Sequence, residues 1–349
     1  MPTPAESPFL GACRSLPVDR TPVWFMRQAG RSLPEYRALR GSGSILEAIA
    51  DPEIAAEVTM QPVRRYGVDA AILFSDIVVP VHAVGFGVDV VPGRGPVMAT
   101  PFSTTSDLAR LPDLDPERHL PYVLDTVDRV VAQLGDTPLI GFCGAPFTVA
   151  SYLVEGGPSR EFTKVKALMH GQPDLWVSLM ERLVASSVAF LRAQVAHGAT
   201  ALQVFDSWAG SLSPSEYECF ALPATAAIMA ATADLGVPRI LFGVGTGELL
   251  SLMATSGADV VGVDWRVPLD EARRRVGPAV ALQGNLDPAL TFAPREVLAA
   301  GVRRVLDAAG TAPGHIFNLG HGVLPTTDPD ALKMVVDLVH AEGRAGVSK

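Results

Sequence analysis

The sequence predicts a (β/α)8 barrel. Eight short apolar runs of β-type composition recur along the chain, and each is followed by a polar or glycine-containing tip and a helical stretch. Regular alternation of strands and helices is typical of a parallel sheet, and eight units complete a closed barrel. A chain of 349 residues is compatible with one such barrel. The alternative is an open doubly wound sheet, which requires a topological switch that the sequence does not reveal.

The predicted strands cover residues 23–26, 70–74, 139–143, 201–205, 240–242, 260–263, 280–282 and 315–317. Helix boundaries support this order. Ser213 and Pro214 are typical of an N-cap and first helical position, in a segment that ends at Gly236. A helix over 177–197 should end before a glycine, and a last helix should begin after Asp328 and end near Gly343. No low-complexity linker interrupts residues 1–349, so we expect a single domain.

Composition excludes several classes of protein. Every apolar run is broken well short of the ~18 residues that a membrane helix needs, and the N-terminus lacks the basic flank and apolar core of a secretory signal. We therefore expect no membrane association and a cytoplasmic location. The net charge is −9 and the pI about 5.3, which argues against a nucleic-acid-binding groove. Cys13, Cys143 and Cys219 are dispersed, so we expect neither disulfides nor a metal site.

Four arginines lie close together near the N-terminus of this acidic chain: Arg27, Arg31, Arg37 and Arg40. A guanidinium group stays charged and offers a fork of donors that matches carboxylate or phosphate. The cluster therefore indicates a local binding site for a polyanion. A solvated basic helix face is the alternative interpretation of the segment taken alone.

Asp76 directly follows a predicted strand, and enzymes of this fold carry their chemistry at the C-terminal ends of the strands. A carboxylate at a strand-to-helix turn is also a common helix N-cap. The residues that follow, 77–80 (IVVP), are a poor helix start, and this favours a ligand-facing role for Asp76.

His321 follows the last predicted strand between two glycines, which permit close approach of a ligand to the backbone. A binding role and a structural role both remain open for it. The glycines at 243, 245 and 247 suggest a dinucleotide loop, but Glu248 stands where the motif needs its third glycine. We interpret that segment as a tight turn.

Seven segments spread in order along the chain resemble the uroporphyrinogen decarboxylase family of tetrapyrrole biosynthesis. They are residues 26–31 (MRQAGR), 74–77 (FSDI), 144–148 (GAPFT), 152–157 (YLVEGG), 205–207 (FDS), 282–288 (LQGNLDP) and 318–322 (NLGHG). The resemblance implies a single-domain barrel, a homodimer, and an enzyme that needs neither metal nor organic cofactor. Its implied activity is removal of the four acetate carboxyl groups of uroporphyrinogen III, giving coproporphyrinogen III and CO2.

The resemblance also implies residue roles. Asp76 and Arg27 would be catalytic, with Asp76 holding the pyrrole N–H groups. The implied substrate-binding residues are Arg27, Arg31, Arg40, Asp76, Tyr152, Phe205, Ser207 and His321. Ser32 stands where many relatives carry a larger residue, a departure that touches none of these positions.

The chemistry agrees with the residues. A substrate with eight carboxylates accounts for an arginine cluster in an acidic protein, and a pyrrole protonated on a ring carbon is its own electron sink. Two rivals remain. A methyltransferase of the same superfamily would need zinc, yet residues 242–247 and the segment around His321 lack the required His and Cys ligands. A non-catalytic tetrapyrrole carrier would keep the arginines but would not need Asp76.

Overall fold

A computed structural model describes residues 7–41, 43–91 and 93–343. The strands in this part of the chain are β1 Ala71–Ile72, β2 Val88–Val91, β3 Gly95–Met98, β4 Leu139–Gly144, β5 Ala201–Asp206, β6 Arg239–Gly243, β7 Val260–Gly262, β8 Ala281–Gln283 and β9 His315–Ile316. Seven of them form one parallel sheet in the order β1-β4-β5-β6-β7-β8-β9, and β2 and β3 form a separate antiparallel hairpin.

Val23 closes the sheet into a barrel. It forms a parallel bridge with Phe317, just after β9, while its carbonyl accepts a hydrogen bond from the Asp69 N–H at 2.8 Å, just before β1. The predicted strand at 23–26 is nevertheless wrong as a strand. The chain turns immediately, because the Phe25 carbonyl accepts from the Gln28 N–H and Arg27 adopts a φ of +59°. The other seven predicted runs are strands, and the predicted (β/α)8 barrel is confirmed.

Helices surround the sheet. Among the described residues they are α1 Pro8–Cys13, α2 Pro34–Arg40, α3 Ile45–Ala50, α4 Pro52–Tyr66, α5 Val79–Ala83, α6 Pro116–His119, α7 Pro121–Leu134, α8 Pro146–Glu155, α9 Thr163–Gly171, α10 Pro173–Ala196, α11 Pro214–Phe220, α12 Leu222–Ala231, α13 Leu250–Met253, α14 Leu269–Val276, α15 Arg295–Ala309 and α16 Pro329–Glu342. Short 3-10 turns at Thr105–Arg110, Ala209–Ser211, Ala233–Leu235, Gly247–Leu249, Ala254–Ser256 and Pro288–Phe292 connect some of them.

The predicted helix boundaries hold at most ends. Ser213 caps α11 in a capping box with Glu216, and Asp328 caps α16, which ends before Gly343. The segment up to Gly236 is not one helix, however. It breaks after Phe220, and Pro223, which lacks a backbone donor, lies in the first turn of α12.

The β2–β3 hairpin was not predicted. Gly93 and Gly95 take φ of +74° and +89° at its turn, a conformation that costs glycine little. Two hydrogen bonds attach the hairpin to the rest of the molecule: the Met98 N–H donates to the Gly156 carbonyl at 3.1 Å, and the side-chain Nδ1 of His82 donates to the Val88 carbonyl at 2.7 Å. The hairpin thereby lies beside the C-terminal end of α8.

The barrel interior carries a buried polar chain in addition to its apolar core. Trp24 Nε1 donates to Gln283 Oε1 at 3.0 Å, and Gln283 Nε2 donates to Gln203 Oε1 at 3.1 Å. Since buried polar groups are costly when unpaired, these bonds fix β5, β8 and the segment of Trp24 relative to one another. Within the described ranges no single helix is long and apolar enough to cross a membrane; only the bent pair Pro214–Phe220 and Leu222–Leu235 reaches that length and composition together.

At the N-terminal end of the strands, three residues form what we term the basal latch: Arg20, Asp69 and His340. Asp69 Oδ1 accepts from Arg20 Nη2 at 2.6 Å, and Oδ2 accepts from His340 Nε2 at 2.7 Å and from the Val23 N–H at 2.8 Å. Burial alone would raise the pKa of Asp69, but these hydrogen bonds and the charge of His340 outweigh it and lower the pKa. The latch joins α16 to the point where the barrel closes.

Candidate active site

A cavity of about 740 Å³ opens at the C-terminal ends of the strands. Its walls come from residues 26–45, the segment after β1, the hairpin turn, the ends of β4, β5 and β6, and the loop after β9. Seven of the eight predicted site residues line it: Arg27, Arg31, Arg40, Asp76, Phe205, Ser207 and His321. The eighth, Tyr152, does not. The barrel therefore brings together residues that lie up to about 300 positions apart in sequence.

Arg27 and Arg31 project from a loop rather than from a helix. Both adopt positive φ, +59° and +48°, which is strained for a residue with a side chain. Gln28 holds the loop in place, since its Oε1 accepts from the Phe25 N–H and its Nε2 donates to the Ala70 carbonyl at 2.9 Å. Such strain is typical of functional sites. The alternative of a solvated basic helix face does not describe these two residues, which precede α2.

The loop after β9 makes room for Arg27. A Cβ placed on Gly322 would lie 2.4 Å from Arg27 Cδ, so only glycine lets this side chain pass. Asn318 Oδ1 accepts from the Met26 N–H at 3.0 Å, and the Val323 N–H donates to the Met26 carbonyl at 2.8 Å. The first and last loops of the barrel thus interlock around the arginine.

Arg37 and Arg40 line the rim from α2. Arg37 Nη2 donates to the Pro325 carbonyl at 2.8 Å, and Arg40 Nη2 donates to the Gly43 carbonyl at 2.9 Å. Arg40 Nη1 also donates to the Tyr36 hydroxyl at 3.1 Å. These acceptors are neutral, so both side chains are oriented while their positive charges remain uncompensated by them.

Asp76 is the only carboxylate among the described lining residues. Its Oδ1 accepts from the Val78 N–H at 3.1 Å, and α5 begins only at Val79, so Asp76 is not the N-cap of a helix. Burial raises the pKa of Asp76, while the Val78 N–H and the positive charges of Arg27 and Arg31 counteract part of that rise. Burial and the neighbouring Arg27 in turn lower the pKa of Arg31 to about 10.

His321 lies in the loop after β9, near the C-terminal end of the sequence, and lines the same cavity. Burial first, and then the positive charges of Arg27 and Arg31, lower its pKa to about 4, so the imidazole is neutral near pH 7. Its ring is parallel to that of Trp265, with ring centres 6.5 Å apart. A Cβ on Gly320 would lie 2.3 Å from the backbone nitrogen of Trp265, which explains why glycine precedes the histidine.

Phe205 contributes an apolar surface to the cavity. Its ring packs edge-on against Phe142 and Phe242, with ring centres 5.4 Å and 6.2 Å apart. Together these side chains present aromatic edges and faces beneath the polar groups. Ser207 lies two residues further on and lines the cavity beside them.

Tyr152 lies on α8, and its ring packs against Trp208 with ring centres 3.9 Å apart. Burial and, secondarily, the negative charge of Asp76 raise the pKa of Tyr152 to about 12. The tyrosine is therefore close enough to sense Asp76 electrostatically, although it does not line the cavity as expected. Its ring is held instead against Trp208.

The sequence analysis assigned no role to Asp206, which is fully buried at the end of β5. Side chains alternate along a strand, so Phe205 faces the cavity and Asp206 faces the helices. Thr148 Oγ1 donates to Asp206 Oδ1 at 2.7 Å and accepts from the Trp208 N–H at 3.2 Å. Burial raises the pKa of Asp206 to about 6. The carboxyl group connects α8 to the loop that carries Ser207.

The charge balance of the cavity indicates its ligand. Five arginines line it, Arg27, Arg31, Arg37, Arg40 and Arg94, against one carboxylate, whereas the whole chain carries −9. Such a local excess of guanidinium groups suits a ligand with several carboxylates or phosphates. Within residues 7–41, 43–91 and 93–343, no three His, Cys, Asp or Glu side chains are grouped so that they could hold a metal ion.

Comparisons with known proteins agree on one family. The family profile described as uroporphyrinogen decarboxylase matches residues 4–342. The chain is 61% identical over 337 residues to a uroporphyrinogen decarboxylase of Salinispora tropica, covering 97% of this chain and 91% of the relative. It is 60% identical to one of Streptomyces coelicolor, covering 97% and 95%.

Solved structures show the fold. A methyltransferase from Methanosarcina mazei superposes with a TM-score of 0.81 at 22% identity, over 97% of this chain and 98% of the other. A B12-independent methionine synthase from Shewanella superposes with a TM-score of 0.57 at 13% identity, over 85% and 90%. At these identities the likeness concerns the fold alone.

Proposed function

The chain belongs to the uroporphyrinogen decarboxylase family, and from that premise we propose which of its residues perform the reaction. The protein is a carboxy-lyase acting on uroporphyrinogen, whose four acetate arms lose CO2 to become methyl groups. The observation that carries the assignment of residues is the position of Asp76, the one carboxylate among the described lining residues, in a cavity lined by arginines and within electrostatic reach of Arg27 and Arg31.

The reaction needs an electron sink, and the substrate supplies one. Protonation of a ring carbon of the pyrrole that carries the acetate puts positive charge on that ring and its nitrogen. The C–C bonding pair then enters the ring as CO2 leaves, which neutralises the ring and gives an exocyclic methylene. A proton added to the methylene, and one lost from the ring carbon, leave a methyl group, so each acetate carboxylate consumes one proton in total.

Asp76 would stabilise the protonated ring. A unit charge pair at 4 Å and an effective dielectric constant near 20 interacts by roughly 4 kcal/mol. An interaction that is strong only once the ring is protonated lowers the barrier, and this magnitude corresponds to about a thousandfold in rate. The hydrogen bond from the Val78 N–H fixes the carboxylate before substrate binds, so little reorganisation is needed during the reaction.

Arg27 would orient the reacting acetate, while Arg31 and Arg40 bind other carboxylates of the substrate. A neutral His321 can donate a hydrogen bond without adding to the positive charge of the cavity. Ser207 can donate another, and Phe205 would pack against the macrocycle. The hydroxyl of Tyr152 is protonated near pH 7 and can donate a hydrogen bond, and we propose that it reaches substrate through a rotation of its side chain.

We also propose that residues 1–349 act as one barrel domain, in the cytoplasm, and as a homodimer. The family resemblance supports all three statements, and the continuous seven-stranded sheet supports the first. For the dimer, Phe292 and Val297 expose 51% and 46% of their surfaces, and the hydrogen bond between Thr291 and Thr327 brings the segment of Leu324, which exposes 38%, to the same region. Light scattering after gel filtration tests the dimer, and Phe292→Asp should shift the species to half the mass.

The experiment that tests the function is anaerobic incubation of the purified protein with uroporphyrinogen, with the loss of carboxyl groups followed by mass. We expect successive losses of 44 mass units, one CO2 each, ending at the tetracarboxylate. Tight binding of the porphyrin without any loss of mass would identify a carrier instead. A heat-denatured sample is the control for spontaneous decarboxylation.

A further inference from the structure

One cavity arginine lies outside the segment that carries the other four. Arg94 is at the turn of the β2–β3 hairpin, and it lines the cavity together with Val90 and Val91 of β2. The hairpin therefore contributes a charged tip and an apolar flank to the mouth of the site. Neither feature has a role in the assignment made above.

The surroundings of Arg94 differ from those of a structural arginine nearby. Arg110 donates to Asp107 Oδ1 at 3.0 Å and to the Phe86 carbonyl at 2.8 Å, and it lies over the Phe86 ring at 4.0 Å. The guanidinium of Arg94 makes no hydrogen bond or ion pair with any residue in the described ranges, and the side chain is exposed. All its donors are available to a ligand.

The backbone holds Arg94 at a defined place despite this freedom. Its N–H donates to the Val91 carbonyl at 3.1 Å, and the base of the hairpin is closed by the Ala99 N–H donating to the Gly87 carbonyl at 3.0 Å. Gly93 and Gly95, both with positive φ, form the turn around it. The position of the Cα is thus fixed while the side chain can adjust, which suits capture of a flexible carboxylate arm.

We propose that Arg94 is a further substrate-binding residue, which contacts a carboxylate on the part of the macrocycle that faces the mouth, away from Asp76. The inference rests on the proposed function. Arg27 and Arg31 act on Asp76 and so lie at the reacting pyrrole. A macrocycle with carboxylates around its whole perimeter must also present some of them to other parts of the cavity lining. Among the described lining residues, Arg94 is the one arginine that the hairpin supplies.

The proposal is tested with Arg94→Ala and Arg94→Lys, using uroporphyrin, the unreactive oxidised octacarboxylate, as the probe. We expect Arg94→Ala to weaken uroporphyrin binding roughly tenfold, since a charged hydrogen bond is lost at a partly exposed site. Arg94→Lys should recover part of that loss. KM for uroporphyrinogen should rise in parallel while kcat changes less than twofold, because the contact is remote from the reacting ring.

Arg304→Ala is the matched control, since Arg304 is also exposed but lies on α15 and does not line the cavity. A second readout separates direct contact from altered hairpin structure: the affinity of the unmutated protein should fall more steeply with ionic strength than that of Arg94→Ala. Unchanged uroporphyrin affinity in Arg94→Ala, or an equal salt dependence, would overturn the proposal. If the unmutated protein binds uroporphyrin but leaves uroporphyrinogen intact, it is the proposed function that fails.

Discussion

The two ends of the barrel use charged residues differently. At the N-terminal end, the carboxylate of Asp69 receives hydrogen bonds from Arg20, His340 and the Val23 N–H. At the cavity end, Asp76 receives one from the Val78 N–H. The result is opposite pKa shifts for two aspartates of the same barrel: the pKa of Asp69 is lowered and that of Asp76 is raised.

The two pKa shifts show that the ionised carboxylate of Asp69 stabilises the fold, whereas that of Asp76 does not. A lowered carboxylate pKa means that the folded state stabilises the ionised group, and a raised pKa means the reverse. The strained φ angles of Arg27 and Arg31 are a further cost at the cavity end. We infer that the basal latch stabilises the fold, whereas the charged groups of the cavity serve to bind the ligand.

The largest effect is expected at Asp76. Asp76→Asn keeps the size and an acceptor for the Val78 N–H but removes the charge, so turnover should fall by roughly 100- to 1000-fold. Affinity for a porphyrin product should fall less, because the arginines remain. Asp76→Glu should also be impaired, since the longer side chain displaces the carboxylate. Normal turnover in a folded Asp76→Asn would reduce Asp76 to a structural acceptor.

At the other end, Asp69→Asn should lower the free energy of unfolding by about 2–3 kcal/mol, because a buried, multiply bonded carboxylate is lost. The turnover of the folded fraction should stay near that of the unmutated protein. Urea unfolding measures the first and steady-state kinetics the second. Asp113→Asn is the control, since the Asp113 side chain is 88% exposed and its pairing with Arg182 should contribute little.

The pH dependence of this stabilisation follows from the lowered pKa of Asp69. Its contribution is fully present above the ordinary value of 3.8 and is lost as the pH falls through the lower folded-state value. The difference in unfolding free energy between the unmutated protein and Asp69→Asn should therefore be present at pH 5 and shrink below about pH 4. A difference that grows as the pH falls from 5 to 3 would contradict the assigned direction of the shift.

Arg27→Lys and Arg31→Lys should each cost roughly ten- to thirtyfold in kcat/KM and little in stability. Lysine keeps the charge but not the bidentate fork. The loss should be mainly in KM for an arginine that contacts only remote carboxylates. Near-normal kinetics for both variants would mean that the cluster is a solvated surface.

The smallest effect is expected from chelators. The charges of the cavity are arranged for anions, and the described residues offer no grouping of metal ligands. Activity should survive dialysis against EDTA and o-phenanthroline unchanged. Loss of turnover that zinc restores would favour the alternative function, a zinc-dependent methyltransferase.

Much of the fold was predictable because the signals are local. Continuous apolar runs identified seven strands, and Ser213-Pro214 and Asp328-Pro329 identified two helix starts. The prediction of a strand at 23–26 is wrong because this apolar segment forms one bridge, at Val23, and then turns. The sequence did not predict the hairpin, because its strands, Val88–Val91 and Gly95–Met98, are short and mix exposed with buried positions.

The site was predictable where a strand tip or a sequence motif carried it. Asp76 lies four residues beyond β1 and His321 five residues beyond β9, and the structure brings them to one cavity. Tyr152 lies within α8, eight residues beyond the end of β4, so its position relative to the cavity depends on how α8 packs. Arg94 could not be found, because only the folding of the hairpin over the mouth makes it a lining residue. The buried Asp206 had one signal, its position next to Phe205 in a strand tip.

Whether the charges of the cavity serve function and not stability can be decided from the free energy of unfolding of Asp76→Asn at pH 7. The raised pKa of Asp76 means that the ionised carboxylate is held less favourably in the fold than in water. We expect the free energy of unfolding of Asp76→Asn to equal or exceed that of the unmutated protein, while turnover is lost. A decrease of more than about 1 kcal/mol would contradict it, since Asp76 would then be holding the barrel together.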